Sequence, residues 1–162
     1  MKKLFKYMPL VAAAFLMTAC QNNDEANFKS KAFIDGKTFT SETIIKGETN
    51  IVKSLTLSTA RPAEKELNAT FSVAANLVET YNQAYYAKAV MLPDTCYKVV
   101  KGDVKINQGS VNSNEAQFAF FKLANLDRAI TYVLPVTVNC QDIEVLQSAK
   151  NYYFVFRAGA LF

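Results

Sequence analysis

Apolar and polar residues alternate with period two along much of the chain beyond residue 30. Such alternation is typical of β-strands that have one buried face and one face in water. Turn residues such as Asp35-Gly36 and Lys101-Gly102-Asp103 separate the alternating stretches. The pattern therefore predicts an all-β domain of about seven to eight strands, packed as a sandwich or a barrel. The candidate strands are residues 31–34, 51–58, 67–73, 96–100, 104–107, 116–122, 131–138 and 152–157.

One stretch has a helical period instead. Between residues 74 and 87 the apolar residues recur at the spacing of one helix face. Asn76 is a suitable N-cap, Glu79 stands three residues after it, and Pro93 stops the helix from continuing. We therefore predict one short helix at about residues 76–86, which crosses between the sheets or covers an open end. The apolar stripe consists of Leu77, Val78, Tyr81, Ala84 and Tyr85.

Pro135 interrupts the predicted strand over residues 131–138. Proline has no N–H to donate, so within sheets it is confined mainly to edge strands and bulges. The sequence therefore predicts an edge strand or a bulge at this position.

The start of the chain has the pattern of a bacterial lipoprotein export signal. Three lysines precede an apolar segment over residues 8–17, which is too short to span a bilayer. The segment Leu16-Met17-Thr18-Ala19-Cys20 is typical of the box at which such a signal is cut and its cysteine acylated. We therefore predict a signal peptide over residues 1–19 and a lipid, such as palmitate, on Cys20. The alternative is an ordinary secretory signal with a chance cysteine at its cut site.

Residues 20–30 are polar and unpatterned, which predicts a tether between the membrane and one domain over residues 31–162. The tether includes Asp24 and Glu25 and resembles the acidic segment after the acylated cysteine in surface-exposed lipoproteins of Bacteroidetes. The resemblance implies that these two residues direct the protein to the outer face of the outer membrane. The alternative is a solvated linker in which the two acids have no role.

Charge and composition exclude several kinds of function. The chain has 18 basic and 14 acidic residues, and the first 19 residues hold three of the former and none of the latter. The predicted mature chain thus has 15 basic and 14 acidic residues, too balanced for a nucleic-acid partner. Histidine is absent, and so are a glycine-rich phosphate loop and a Gly-x-Ser-x-Gly elbow. We therefore expect no enzyme, no metal site and no cofactor.

Two cysteines remain after Cys20. Cys96 and Cys140 would reach a compartment in which disulfides persist. A bridge between them would close a loop of about 45 residues and contribute about 4 kcal/mol in the chain-entropy model. The alternative is two separate thiols that pack as small apolar side chains. The spacing alone does not decide between them.

Aromatic pairs are the one lead toward a ligand. Adjacent residues point different ways, so Tyr85-Tyr86 and Tyr152-Tyr153 can each expose one ring. An exposed ring can bind the apolar face of a sugar. The alternative is that the inward ring of each pair belongs to the core and the outward ring has no role.

Several separated segments between residues 61 and 138 resemble one known family. The family comprises immunoglobulin-like domains of unknown function in surface lipoproteins of gut Bacteroidetes. The segments are Pro62-Ala63-Glu64-Lys65-Glu66, Leu77-Val78-Glu79-Thr80-Tyr81-Asn82-Gln83-Ala84-Tyr85, Leu92-Pro93 with Tyr97, Val104-Lys105-Ile106-Asn107-Gln108-Gly109-Ser110-Val111, Leu126-Asp127-Arg128 and Thr131-Tyr132-Val133-Leu134-Pro135-Val136.

The resemblance implies an immunoglobulin-like β-sandwich close to the lipid anchor. In that family a laminin-G-like or concanavalin-like domain, or a family-18 glycoside hydrolase, often follows. It brings no functional residue, and the chain departs from the pattern at Thr95-Cys96 and in ending at Phe162. We expect a non-catalytic accessory module in glycan capture or utilisation, whose partner is a polysaccharide or a glycan-importer complex. The alternative is a structural spacer or protein-interaction domain that binds no sugar.

Overall fold

The computed structural model describes residues 30–36, 39–44 and 50–158, which contain eleven strands and one α-helix. The predicted signal peptide, Cys20, Asp24 and Glu25 lie outside the described residues. No helix within the described ranges is long and apolar enough to cross a membrane. The elements are β1 (Ala32–Ile34), β2 (Phe39–Ile44), β3 (Asn50–Leu55), β4 (Leu57–Thr59), β5 (Leu67–Val73), α1 (Leu77–Tyr85), β6 (Val90–Met91), β7 (Tyr97–Lys101), β8 (Asp103–Ile106), β9 (Ala116–Phe121), β10 (Thr131–Cys140) and β11 (Asn151–Ala158).

The strands form a sandwich of two principal sheets. The larger sheet has the order β2-β11-β10-β5-β8, and β6 pairs with β10 in parallel beside it. The smaller sheet has the order β3-β9-β7. After Leu55 the chain leaves the ladder with β9, and from Leu57 onward, as β4, it pairs with β1 in a separate two-stranded ladder.

The core between the sheets is built mainly from phenylalanine. Phe118 and Phe120 of β9 alternate inward from the smaller sheet, and Phe154 and Phe156 of β11 do so from the larger one. Phe154 lies 5.3 Å from Phe118 and 5.1 Å from Phe120 between ring centroids. Phe120 also packs 4.8 Å from Phe156. Each buried ring removes about 150–250 Å² from water, so this cluster contributes much of the stability of the sandwich.

The structure confirms the predicted all-β, immunoglobulin-like sandwich with one short helix. It has eleven strands rather than the predicted seven to eight, for three reasons. The predicted strand 51–58 is divided into β3 and β4 at Thr56, and the sequence pattern predicts neither β2 nor β6. Both of these strands pair in parallel with a strand far along the chain, and local alternation does not reveal such pairing.

Gly102 lets the chain pass from the smaller sheet to the larger one between β7 and β8. The carbonyl oxygen of Gly102 accepts a hydrogen bond from the N–H of Phe71 in β5, at an N···O distance of 2.9 Å. A Cβ atom at residue 102 would lie only 2.8 Å from the carbonyl oxygen of Phe71. Glycine is therefore required by the close approach of two backbones.

Candidate functional site

The outer face of the larger sheet is divided into two halves. Helix α1 covers one half, where Val133 and Val155 form an apolar cluster with Tyr81 of the helix and Tyr153 of β11. The other half, over β10, β5 and β8, is polar and uncovered. Both halves lie on one face because alternate residues of β10, from Val133 to Asn139, point the same way.

The C-terminal end of α1 is held in a fixed geometry by Asn82. Its carbonyl oxygen accepts hydrogen bonds from the N–H groups of Tyr86 and Ala87. Its side-chain amide bonds both backbone groups of Ala89, with N···O distances of 2.8 Å and 2.9 Å. The loop that follows the helix is thus fixed at both of its ends.

Tyr86 occupies this fixed loop in an unusual state. Its backbone is left-handed, with φ 50° and ψ 39°, a conformation that a helix end usually gives to glycine. Its side chain is 98% exposed, and that of Tyr85 is 41% exposed. The Tyr85 ring lies 4.9 Å from the buried Tyr81 ring, and Tyr86 follows it directly in the loop. This end of the helix can present an aromatic ring to a ligand.

The second predicted pair does not expose a ring. Tyr152 points into the main core, where its ring lies 5.0 Å from that of Phe154. Tyr153 points to the opposite face, but α1 covers it and its ring packs 5.2 Å from Tyr81. The expectation that this pair exposes a ring is therefore wrong, because both faces of β11 are buried. Burial, with a smaller contribution from Tyr85, raises the pKa of the Tyr153 hydroxyl.

The uncovered half of the face contains a groove of about 450 Å³. Asn139, Thr70 and Asp103 stand side by side on β10, β5 and β8, because the strand register aligns them directly. The Thr70 hydroxyl donates a hydrogen bond of 2.8 Å to the Asp103 carboxylate. The complete lining is Asn68, Ala69, Thr70, Asp103, Val104, Asn139, Gln141 and Asp142.

Asp142 forms the fixed end of this groove. One carboxylate oxygen accepts the backbone N–H of Asn68 at 3.0 Å, and the other accepts the Lys65 ammonium at 3.1 Å. The backbone hydrogen bond, followed by the one from Lys65, holds the pKa of the Asp142 carboxyl below its ordinary value. The groove is not predicted from the sequence. Polar residues at the outward-facing positions of β5, β8 and β10 were the signal that could have indicated it.

The structure does not pair the two remaining cysteines. Cys96 is buried in a 3-10 turn, Asp94–Cys96, which leads into the smaller sheet. Cys140 ends β10 in the larger sheet, and its thiol donates to the carbonyl oxygen of Asn68 at 3.2 Å. Both are free thiols, so the structure has the alternative of two separate thiols and not the candidate bridge. Cys96 thus precedes a strand of the smaller sheet, whereas Cys140 lies in the larger sheet and its thiol contacts a neighbouring strand of that sheet.

The two acids before β5, Glu64 and Glu66, are exposed. Glu66, one of the two acids before β5, forms an ion pair of 3.1 Å with Lys105. Nowhere in the described ranges do three potential ligand side chains of His, Cys, Asp or Glu gather as a metal site. The residues that can contact a ligand on this face are therefore the exposed tyrosines and the polar side chains of the groove.

Three solved structures from Bacteroides share this fold. A candidate carbohydrate-binding protein from Bacteroides ovatus ATCC 8483 is 20% identical, with a TM-score of 0.72 over 79% of this chain and 37% of its own. EndoBT-3987 from Bacteroides thetaiotamicron, solved with a Man5GlcNAc product, is 17% identical, with a TM-score of 0.63 over 75% of this chain and 28% of its own. A two-domain protein of unknown function from Bacteroides fragilis NCTC 9343 is 11% identical, with a TM-score of 0.62 over 82% of this chain and 47% of its own.

The chain thus spans less than half the length of each of these proteins, and identities this low show the fold alone. No curated protein matches the chain. Residues 22–145 match the model of a family described as an N-terminal domain. The chain belongs to this family of N-terminal domains, and its immunoglobulin-like sandwich occurs in proteins of Bacteroidetes.

Proposed function

We propose that this chain is a non-catalytic accessory module for glycan capture at the cell surface. A lipid on Cys20 anchors it to the outer membrane, and Asp24 and Glu25 direct it to the outer face. The observation that carries the proposal is Tyr86, whose ring is 98% exposed on a loop that Asn82 fixes. Related folds in a candidate carbohydrate-binding protein and in EndoBT-3987 support the glycan as the ligand.

The state of Tyr86 has two costs that a purely structural residue would avoid. A left-handed backbone costs about 1–2 kcal/mol for a residue with a Cβ atom, and glycine escapes that cost. An aromatic ring in water gains none of the free energy of burial. Because the backbone of the loop is fixed in advance, only the side-chain torsions of Tyr86 have to be ordered on binding, which lowers the entropy cost of association with a sugar face. Ligand binding therefore accounts for a tyrosine at a position that suits glycine.

The second candidate function is a spacer or a protein-interaction domain without sugar binding. It is favoured by two exposed valines on the edge strands of the smaller sheet. Val52 of β3 is 63% exposed and Val100 of β7 is 53% exposed. Edge strands present unpaired backbone groups with which another chain can pair, and an exposed valine beside them suits a protein partner better than a sugar.

A binding measurement on the purified mature protein separates the two functions. We expect the protein to bind yeast α-mannan or the Man5GlcNAc oligosaccharide with an affinity between millimolar and micromolar, about −4 to −8 kcal/mol. Tyr86→Ala should remove most of that binding and leave the melting temperature unchanged, whereas Val52→Ala should alter neither. If neither these glycans nor any other polysaccharide of a broad array binds, the glycan function fails and the spacer function replaces it.

A further inference from the structure

We infer that the groove on the uncovered half of the larger sheet is a second binding site, which takes a neutral glycan by hydrogen bonds. This inference rests on the proposed function and deepens it. The groove occupies about 450 Å³, which is within the range of sites that hold small ligands. It lies on the same sheet face that α1 and its tyrosines cover further along.

The chemistry of the lining fits hydroxyl groups. Asn139 and Gln141 present exposed side-chain amides, each of which has both donors and an acceptor. Thr70 and the Asp103 carboxylate add a hydroxyl and two acceptor oxygens in the same row. A sugar hydroxyl is both donor and acceptor, so it can bond to each of these groups. The lining has no aromatic ring, so the groove would hold a sugar by its edges rather than by its face.

The charges of the groove select against acidic ligands. Its lining contains two carboxylates and no lysine or arginine. Lys65 approaches from outside the lining, but its ammonium is bound to Asp142. A uronate or a sulfated sugar would therefore face the Asp103 carboxylate, while Lys105, two residues along β8, is held by Glu66, which favours a neutral glycan.

A calcium ion is less suited to the same groups. Both carboxylate oxygens of Asp142 already accept hydrogen bonds, from Asn68 and from Lys65. A cation there would have to displace the Lys65 ammonium and would be repelled by it. Thr70 likewise donates to one oxygen of Asp103.

The groove and helix α1 lie along the same strand. Val133, beneath α1, and Asn139, in the groove, are six residues apart on β10. At about 3.3 Å per residue this separation is about 20 Å along the strand. A glycan long enough to reach both the helix end and the groove would stack on a tyrosine at the first and form hydrogen bonds at the second.

The test uses the mature protein, with yeast α-mannan and Man5GlcNAc as neutral probes and polygalacturonate as the acidic comparison. The variant Asn139→Ala/Gln141→Ala removes two exposed amides, and Asn50→Ala removes one from the smaller sheet as a matched control. We expect the double variant to bind the neutral probes about ten-fold more weakly or worse, with an unchanged melting temperature. Asn50→Ala should bind as wild type does, and polygalacturonate should bind to none of the proteins.

The outcomes separate this inference from the proposed function. If the neutral probes bind the wild type and the double variant equally, or if polygalacturonate binds better than they do, the groove is not the proposed site and the glycan function stands. If calcium chloride alone raises the melting temperature of the wild type and not of Asp103→Asn, the groove is a cation site and the inference is wrong. If no glycan binds the wild type, the proposed function and this inference fail together.

Discussion

The rings of Tyr81 and Tyr153 pack with their centroids 5.2 Å apart where α1 meets the larger sheet. This contact closes a second, smaller core on the outer face of the sandwich. It also fixes the helix whose C-terminal end carries Tyr85 and Tyr86. The position of the exposed tyrosines thus depends on a buried one.

Replacing the ring of Tyr153 should therefore cost stability. We expect Tyr153→Ala to lower the free energy of unfolding by about 3–5 kcal/mol, as loss of a buried aromatic ring does. Urea denaturation measures the change, and Tyr86→Ala is the exposed control, within about 0.5 kcal/mol of wild type. A Tyr153→Ala protein of full stability that binds glycan more weakly would mean that this ring faces the ligand.

The left-handed backbone at residue 86 can be tested by comparing the stabilities of a glycine and an alanine variant. Tyr86→Gly should be more stable than Tyr86→Ala by about 1 kcal/mol, because glycine adopts the left-handed conformation without cost. Both variants lack the ring, so both should bind glycan equally weakly. Equal stability of the two would show that residue 86 carries no backbone strain.

Gly102 should tolerate no side chain. Because an added Cβ atom would lie 2.8 Å from the backbone oxygen of Phe71, Gly102→Ala must displace one of the two strands. We expect a loss of about 1–3 kcal/mol in the free energy of unfolding, the usual cost of overpacking. Lys101→Ala, on an exposed neighbouring residue, is the control and should be near neutral. A Gly102→Ala protein as stable as that control would contradict the close approach.

Asp142 should link stability to acid pH. Its pKa is lowered in the fold, from an ordinary value of 3.8, so its hydrogen bonds stabilise the protein above that pH. The contribution is lost as the pH falls through the folded-state pKa. In thermal scans from pH 7 to pH 2, Asp142→Asn should lose less stability on acidification than wild type. Glu64→Gln is the control, and a parallel decline of wild type and Asp142→Asn would exclude this linkage.

The anchor can be tested without reference to the fold. If Cys20 is acylated, wild-type protein should partition into the detergent phase of extracted membranes and Cys20→Ala should not. Mass analysis of the mature N-terminus would identify the acyl chains. Release of the wild-type protein into the soluble fraction of cells would contradict a lipid anchor.

Features with a local cause could be predicted from the sequence. The stripe that begins at Leu77 predicted a helix at about residues 76–86, and the structure has it at Leu77–Tyr85. Pro135 was expected in an edge strand or a bulge, yet it lies within β10 between β11 and β5. On one edge of β10 the neighbouring strand changes at Pro135 from β6 to β5. The N–H that proline lacks falls at this change of neighbour, so no hydrogen bond of either ladder is lost.

Features that depend on distant parts of the chain could not be predicted in this way. Tyr153 has the spacing of an outward residue, and only the docking of α1 makes it buried. The groove brings together Asn68, Asp103 and Asn139, which lie on three strands far apart in sequence. Their proximity follows from the strand order, and alternation alone does not give that order.

The parallel pairing of β2 with β11 has a mechanical consequence. Six residue pairs, from Phe39 with Tyr153 to Ile44 with Ala158, join an early strand to a late one running the same way. A force that pulls the start of β2 away from the end of β11 acts along these strands and loads their hydrogen bonds in shear. The bonds of such a ladder must then break together rather than one after another. A domain that is held at the start of β2 and pulled at the end of β11 would therefore resist the force with all the hydrogen bonds of this ladder at once.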